Sequence, residues 1–346
     1  MTRDRASGRK SWFRRHKVAT GALTLVVIAV LAVGGWAWYL NSQVDKVPRI
    51  DAGVSEPPAD EKAETRALNI LLAGTDTRTP GQLAALVRDG WKPGAMRSDT
   101  IMLMHVTKER DEAYVVSVPR DTLAEIPGHG SAKINAAFSL GGPELYVDTM
   151  EAFTGLQVDH LAVIDWAGFE DLSTAVGGVD VTVPETITDT QNDITWEAGR
   201  HHLEGREALM YVRMRYGLGE GDFDRIKRQQ NFMRSLLGEL VARDTLGNPL
   251  KLTAAVRAIT QNLTLDETFG NDDIRDLAFG LRRLGTEDIT FLTVPLESYD
   301  TIDGQSVVLV DEAATRRLFA AVDADRLPQH VERNDLETLP RPGRVS

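Results

Sequence analysis

The chain has 346 residues, a formal net charge of −12 and no cysteine. The lack of cysteine excludes disulfides, thiolate catalysis and cysteine-ligated metal sites. The acidic balance argues against a nucleic-acid-binding function, because a negative surface repels the phosphate backbone.

The first predicted element is a membrane anchor. Residues 1–17 carry seven Lys or Arg and one acidic residue, and residues 18–40 carry no charge. As a helix rising about 1.5 Å per residue, the uncharged run would cover roughly 34 Å, enough to cross a hydrocarbon core of about 30 Å. Its distal end holds Trp36, Trp38 and Tyr39, as at a membrane interface. The positive-inside rule predicts a cytoplasmic N-terminus and an external remainder.

A cleaved signal peptide is the alternative for this segment. The apolar run is long for a signal peptide, and no convincing small-residue cleavage site ends it. Residues 41–65 are polar and contain Pro57-Pro58, which predicts a linker. Residues 66–325 predict one external domain with a substantial core, and residues 326–346 a disordered tail.

The external domain alternates strand and helix patterns. Apolar runs predict strands at residues 67–74, 99–106 and 112–119, the last two as an antiparallel hairpin, and later at HLAVIDW, VDVTVPE and DITFLTVP. Helical patterns occupy residues 81–90, PELYVDTMEAFTG, AGFEDLSTAVGG, GREALMYVR, 222–242, 249–262, 271–284 and DEAATRRLFAAV. This mixture, with a hairpin included, predicts an α/β fold with a mixed central sheet covered by helices.

The hairpin places charged residues together. Arg97 and Asp99 lie at the start of its first strand, and Arg120 and Asp121 follow the end of its second, so the two pairs are neighbours in space. If the strand at 67–74 runs parallel to the second hairpin strand, Asp76 arrives at the same end. We expect these five residues to form one cluster, with surface ion pairs at a sheet edge as the alternative.

A second basic stretch, YVRMRYGLGEGDFDRIKRQQNF at 211–232, stands out in an acidic chain. The helix from Asp222, its expected N-cap, has one apolar stripe that Arg225 and Gln229 border at i, i+4 spacing. The stripe residues are Ile226, Met233, Leu236, Leu237 and Leu240. We expect Lys227 and Arg228 to point toward solvent.

Arg213 and Arg215 precede that helix. They would share a face only if the chain there is extended, and the pattern leaves a helix end and a strand both open. For each arginine, pairing with a neighbouring acidic residue is the structural alternative to ligand binding.

These residue types suit one kind of chemistry. Arginine presents a planar fork that binds phosphate oxygens in pairs. Two close carboxylates can hold Mg²⁺ that also bridges to phosphate. Several arginines with two aspartates, no cysteine nucleophile and no histidine base indicate pyrophosphate recognition and phosphoryl transfer, where positioning and charge neutralisation dominate.

Seven segments in order resemble the successive signatures of the LytR-CpsA-Psr family. They are NILLAGTDTR, RSDTIMLMHV, VVSVPRDTLAEIPG, KINAAFSLGG, GGVDVTVPE, LEGREALMYVRMRY and GDFDRIKRQQ. The resemblance covers residues 66–242 and continues more weakly to about 325. The first segment departs mildly, because GTDTR has threonine where the family often has serine before the aspartate.

The resemblance implies a three-layer α/β/α fold that encloses an apolar lipid channel. It implies an external, membrane-anchored phosphotransferase that moves a glycopolymer from a polyprenyl-pyrophosphate carrier to a peptidoglycan hydroxyl, forming a phosphodiester. Asp76 and Asp99 would hold Mg²⁺, or Mn²⁺, and either could orient the hydroxyl. The implied pyrophosphate ligands are Arg97, Arg120, Arg213, Arg215, Arg225 and Gln229, with Asp121, Lys133 and Asp222 in support.

A non-catalytic function is the competing hypothesis. The chain could bind the polyprenyl-phosphate lipid or the cell wall without turning it over, or act as a regulator. A DNA-binding regulator is disfavoured, because the short N-terminal tail shows no helix-turn-helix pattern and the external domain is acidic. A lipid binder would need the arginines but would tolerate the loss of Asp76 and Asp99.

Overall fold

The computed structural model describes residues 34–55, 66–77, 79, 81–183, 185–190, 192–214, 222–281, 284–334 and 336–339. It divides into two units, Met1–Lys46 and Val47–Ser346. In the first unit, residues 34–44 form a helix, α1. No helix among the described residues is long and apolar enough to span a membrane. Most of the predicted anchor, residues 18–33, lies outside the described part of the chain.

The second unit is built on a seven-stranded mixed sheet with the order β1-β12-β7-β2-β3-β4-β13. These strands are β1 (Arg49–Ile50), β2 (Leu68–Thr75), β3 (Ser98–Val106), β4 (Ala113–Ser117), β7 (His160–Asp165), β12 (Leu263–Asp266) and β13 (Ile289–Thr293). Four further ladders of two strands are β5 (Leu123–Ile126) with β6 (Gly130–Lys133), β8 (Val179–Val183) with β11 (Gly199–Leu203), β9 (Ile187–Asp189) with β10 (Ile194–Trp196), and β14 (Leu296–Ile302) with β15 (Gln305–Val310).

Helices cover the sheet. They are α2 (Gln82–Asp89), α3 (Ala136–Thr154), α4 (Trp166–Ala175), α5 (Gly205–Arg213), α6 (Asp222–Val241), α7 (Arg243–Gly247), α8 (Pro249–Asn262), α9 (Asn271–Leu281), α10 (Glu312–Asp323) and α11 (Leu327–Asn334). The helix and strand patterns predicted from sequence are all present at these positions, and the α/β fold with a mixed central sheet is confirmed.

Alternation along the strands places helices on both faces of the sheet. On β3, Ile101 and Leu103 join the core that contains α3 and α10. Met102 and Met104 face the opposite core, which includes residues of α6 and α9. Because successive strand side chains point to opposite faces, an apolar run of this kind needs helices on each side.

The predicted hairpin is confirmed, and so is the direction of the strand before it. β3 pairs antiparallel with β4 and with β2, so β2 and β4 run the same way. β7 is parallel to β2, and β13 is parallel to β4. The carboxyl ends of β2, β4, β7 and β13 therefore meet at one edge of the sheet, where β3 begins.

Two predicted boundaries were wrong. The expected linker 41–65 includes β1, which pairs with β12 and belongs to the sheet; a two-residue strand has no periodicity to detect, and its partner lies far along the chain. The expected disordered tail 326–346 includes α11, whose Leu327 is fully buried, and Leu339, whose N–H donates to the carbonyl of Phe291 at 2.8 Å. A few apolar anchors order this polar segment. Residues 56–65 and 340–346 lie outside the described part.

Candidate functional site

The carboxyl edge of the sheet gathers the predicted cluster. The loop after β2 is closed by Asp76, whose N–H donates to the carbonyl of Arg97 at 3.2 Å. A carboxylate oxygen of Asp76 accepts from the Arg97 N–H at 3.0 Å. This reciprocal pair holds Asp76 beside the first residues of β3, two positions before Asp99. The side chain of Arg97 itself is exposed.

Arg120 connects the two strands of the hairpin at this edge. Its Nη1 donates to Asp99 Oδ1, and its Nε lies 3.7 Å from Asp121 Oδ2. Lys133 Nζ lies 3.0 Å from Asp121 Oδ1, so the four residues form one chain of contacts. Within the described residues, Nε of Arg120 is buried without a hydrogen-bond partner. An N–H donor left in this state suits a ligand oxygen, because an unsatisfied buried donor costs about 1–3 kcal/mol.

A cavity of about 500 Å³ opens beside this cluster. Its walls come from β2, β3 and β7 and from helices α4, α5, α6 and α8, and most of its lining is apolar. We call the end lined by Asp99, Arg213, Arg225 and Gln229 the polar mouth. From Arg225 the lining follows α6 to Leu240, which at about 1.5 Å per residue is roughly 22 Å. The cavity is therefore an elongated apolar channel with charged groups at one end.

Helix α6 delivers two side chains to the polar mouth. Arg225 is 3% exposed, and Gln229 Nε2 donates to the carbonyl of Val212 at 3.4 Å. The apolar stripe predicted for this helix lines the channel through Met233, Leu236, Leu237 and Leu240, and buries Ile226. A 20-residue amphipathic helix thus places its border residues at the mouth, as its spacing predicted.

One expectation for α6 was wrong. Arg228, expected to face solvent, is only 8% exposed and lies over the ring of Tyr211 at 5.8 Å. Burial lowers the pKa of the Arg228 guanidinium. Lys227 does face solvent and pairs with Glu337 at 3.1 Å. Helical periodicity could not predict this burial, because it does not show that α5 packs on the face of α6 that carries Arg228.

Arg213 is the last residue of α5, so of the two conformations left open for this stretch, the helix end is the correct one. Its guanidinium carbon lies 3.5 Å from the centroid of the Trp166 ring. Arg215 lies outside the described residues. The backbone of Asp222 begins α6, but its side chain is outside the described part, so its expected N-cap stays a prediction.

The junction between β7 and α4 also borders the channel. Asp165 Oδ1 accepts from the Gly168 N–H at 2.7 Å and so caps α4. Burial raises the pKa of the Asp165 carboxyl, and its hydrogen bonds to the N–H groups of Gly168 and Ala167 oppose that rise. Asp165 thus lies in the channel lining, as Asp99 and Asp189 do, at the end of the strand that pairs with β2.

The donor set fits a metal shared with a ligand. Among the described residues, no group of three or more histidine or acidic side chains is placed to hold an ion. Asp76 and Asp99 are two carboxylates on adjacent strand ends, a small set of the sort that Mg²⁺ accepts when phosphate oxygens and water complete its shell. These two residues could hold Mg²⁺ once a phosphorylated ligand is bound.

Sequence reasoning missed one residue of this site, Trp166, and one buried residue beside it, Gln230. Trp166 was read only as the end of a strand. The sequence pattern assigned no role to Gln230, yet its Nε2 donates to Ser117 Oγ at 2.9 Å and to the Leu292 carbonyl at 3.0 Å. Gln229 faces the channel and Gln230 faces the core, because successive residues of a helix are rotated by about 100°. The sequence cannot show which of the two is buried unless the packing partners of the helix are known.

Comparison with known proteins agrees with the motifs. The LytR_cpsA_psr family model matches residues 40–323. Cell wall biosynthesis protein LcpA of Corynebacterium glutamicum is 32% identical, over 91% of this chain and 67% of LcpA. The polyisoprenyl-teichoic acid–peptidoglycan teichoic acid transferase TagU of Bacillus cereus is 30% identical, over 92% of this chain and 99% of TagU. The solved structure of TagV from Bacillus subtilis shares the fold, with a TM-score of 0.61 at 24% identity over 76% of this chain and 98% of TagV.

Proposed function

The chain belongs to the LytR-CpsA-Psr family, and from this we propose that it transfers a cell wall glycopolymer from a polyprenyl-pyrophosphate carrier to a peptidoglycan sugar hydroxyl. The observation that carries the proposal is the elongated apolar channel that ends at Arg213, Arg225 and Gln229. An apolar chain fits the channel while its anionic head group meets arginines. The name of TagU, which describes transfer of teichoic acid to peptidoglycan, supports the same reaction class.

Each part of the site has a chemical task in this reaction. Arg120, Arg213 and Arg225 bind and neutralise the pyrophosphate, because guanidinium forks match phosphate oxygens. The acceptor hydroxyl attacks the phosphorus that carries the glycan. The bond from that phosphorus to the bridging oxygen breaks, polyprenyl monophosphate leaves, and the glycan phosphorus gains a phosphodiester link to the acceptor.

The aspartates act on the acceptor side. Asp76 or Asp99 accepts a hydrogen bond from the attacking hydroxyl and takes its proton as the phosphorus–oxygen bond forms. Mg²⁺ bound by the same two carboxylates would neutralise charge on the phosphate oxygens. Arg97, Arg215 and the supporting residues Asp121, Lys133 and Asp222 complete the proposed set. Lys133 acts through Asp121, with which it pairs.

The predicted anchor gives this reaction its location. We propose that residues 18–40 cross the cell membrane with residues 1–17 in the cytoplasm, so that residues 41–346 lie outside. The donor lipid then resides in the same membrane as the enzyme, and the acceptor peptidoglycan lies on the same side as the site.

The test uses the full chain in detergent with a short-chain polyprenyl-pyrophosphate glycan. Release of polyprenyl monophosphate is followed with and without Mg²⁺ and with and without peptidoglycan oligomers. We expect release that needs the metal and rises with acceptor, together with a glycan–peptidoglycan product. Asp76→Asn and Asp99→Asn should each abolish turnover but retain donor binding, and exposed Asp148→Asn serves as the matched control.

The same assay separates the transferase from a non-catalytic binder. Donor binding with no release under any of these conditions would overturn the transferase. Binding that survives loss of both aspartates, combined with normal cellular function of those variants, would establish the lipid binder instead.

A further inference from the structure

Trp166 and Arg213 form an unusually close pair at the polar mouth. The guanidinium carbon of Arg213 lies 3.5 Å from the centroid of the Trp166 ring, the separation of two stacked planes in van der Waals contact. Both residues line the channel. A tryptophan face is the most favourable aromatic surface for a guanidinium, because the negative face of the ring attracts the cation.

The stack does not use the hydrogen-bond donors of Arg213. The contact uses the flat face of the guanidinium, whereas its five N–H donors lie in the plane and point outward from the edge. The stack can therefore hold Arg213 in one orientation without using any of its N–H donors.

Trp166 is itself held on two sides. Its backbone N–H donates to the carbonyl of Thr77 at 3.2 Å, in the loop that carries Asp76. One residue earlier, Asp165 caps α4 through the Gly168 N–H. A Cβ at Gly168 would lie 2.7 Å from Asn262 Cβ, so α4 is pressed against α8 at this point and its first turn has little freedom. The backbone that carries the indole is thus fixed to the aspartate loop and to the first turn of α4.

Arg213 needs such a surface because of where it lies. It is the last residue of α5, with an exposed side chain. Fixing a long arginine side chain costs up to about 2 kcal/mol of rotamer entropy when it happens on ligand binding. A stack formed before the ligand arrives removes part of that cost.

We propose that Trp166 is a positioning residue for Arg213, and that it orients this arginine toward the pyrophosphate of the donor relative to the loop of Asp76. This inference rests on the proposed function for the identity of the anion. The competing explanation is that Trp166 only fills the channel wall, in which case its size matters and its partnership with Arg213 does not.

The test is a double-mutant cycle on the full chain, with Trp166→Leu, Arg213→Ala and the double variant. We expect Trp166→Leu to raise the donor KM about tenfold, with the acceptor KM and the melting temperature little changed. The double variant should be no worse than Arg213→Ala alone, because the indole acts through the arginine. Trp166→Phe, which keeps an aromatic face, should recover most of the loss.

Trp91 provides the matched control. It is a half-buried tryptophan that packs on Phe138 and donates from Nε1 to the Ser139 carbonyl at 3.1 Å, outside the channel. Trp91→Leu removes a similar volume. The fold-changes in donor KM caused by Trp91→Leu and by Arg213→Ala should multiply in the double variant, as for independent sites. The proposal is overturned if the fold-changes in donor KM also multiply in the Trp166 cycle, or if Trp166→Leu leaves the donor KM unchanged.

A binding measurement tests the role of Trp166 independently of the proposed transfer reaction. The same cycle is measured on the dissociation constant of geranylgeranyl pyrophosphate, by calorimetry without acceptor. A non-additive loss of binding supports the role of Trp166 even if the wild-type chain transfers nothing. Additive losses, or no binding of the probe by the wild-type chain, overturn it.

Discussion

Replacing Gln230 with leucine should unfold the domain at a lower temperature and leave the channel chemistry in place. Gln230 is 2% exposed, and the two hydrogens of its Nε2 are shared among three acceptors, Ser117 Oγ at 2.9 Å, the Leu292 carbonyl at 3.0 Å and Thr293 Oγ1 at 3.2 Å. These acceptors belong to β4 and β13. One amide therefore ties α6 to two parallel strands at the carboxyl edge of the sheet.

The size of the effect follows from these bonds. Each neutral hydrogen bond contributes about 1 kcal/mol net, and an acceptor left buried without a donor costs about 1–3 kcal/mol. Leucine has nearly the same volume, and its apolar side chain offsets part of the loss. We expect about 2–3 kcal/mol of destabilisation. For the 300 residues of the Val47–Ser346 unit, an unfolding entropy of about 2.1 cal/mol/K per residue converts this to a melting temperature lower by about 3–5 °C.

The neighbouring glutamine is the control. Gln229 lines the polar mouth, and its one described bond to the Val212 carbonyl is long at 3.4 Å. Gln229→Leu should shift the melting temperature by less than about 1 °C and lower turnover about tenfold. Thermal unfolding followed by near-ultraviolet circular dichroism, beside the release assay, measures both. If Gln230→Leu melts with the wild-type chain, or if Gln229→Leu is the more destabilised variant, the assignment of the two faces of α6 is refuted.

Three further outcomes are expected. Arg120→Ala should lower turnover by about 10²-fold or more at nearly unchanged melting temperature, and normal turnover would remove Arg120 from the site. Gly168→Ala should destabilise the domain by about 1–3 kcal/mol in denaturant titrations, because its Cβ would meet the Asn262 carbonyl at 2.8 Å, and wild-type stability would contradict that packing. The hydrogen bond that His202 Nδ1 donates to the Asp180 carboxylate raises the pKa of His202 above its usual value of 6.5, so the stabilisation it contributes is complete below that pH and is lost as the pH rises through the raised pKa. In an NMR titration Asp180→Asn should lower the His202 midpoint, and an unchanged midpoint would refute the pairing.

The sequence allowed much of the site to be predicted because strand geometry is local. Once 99–106 and 112–119 are recognised as a hairpin, Asp99 and Arg120 must lie at one end, and the structure shows them in contact. The i, i+4 spacing of Arg225 and Gln229 likewise follows from helical geometry alone. Both inferences needed only the repeat of a strand or a helix.

The failures have the opposite character. Arg228 was expected in solvent but is covered by α5. The strand β1 was missed because its partner β12 lies far along the chain, and α11 was missed because few apolar residues such as Leu327 mark it. Nothing in the letters IDWAG shows that Trp166 would meet Arg213, because the two are brought together by the packing of α4 and α5.

For this protein the sequence by itself determined the element types, the mixed sheet, the family and the charged residues at the end of the hairpin. Each of these depends on periodicity, turn chemistry or motif order, which act over a few residues. Only the tertiary structure decided which arginines are buried, which glutamine faces the channel, and that an indole supports Arg213. Those outcomes depend on contacts between distant segments, whose free energy is gained only when the whole domain has folded.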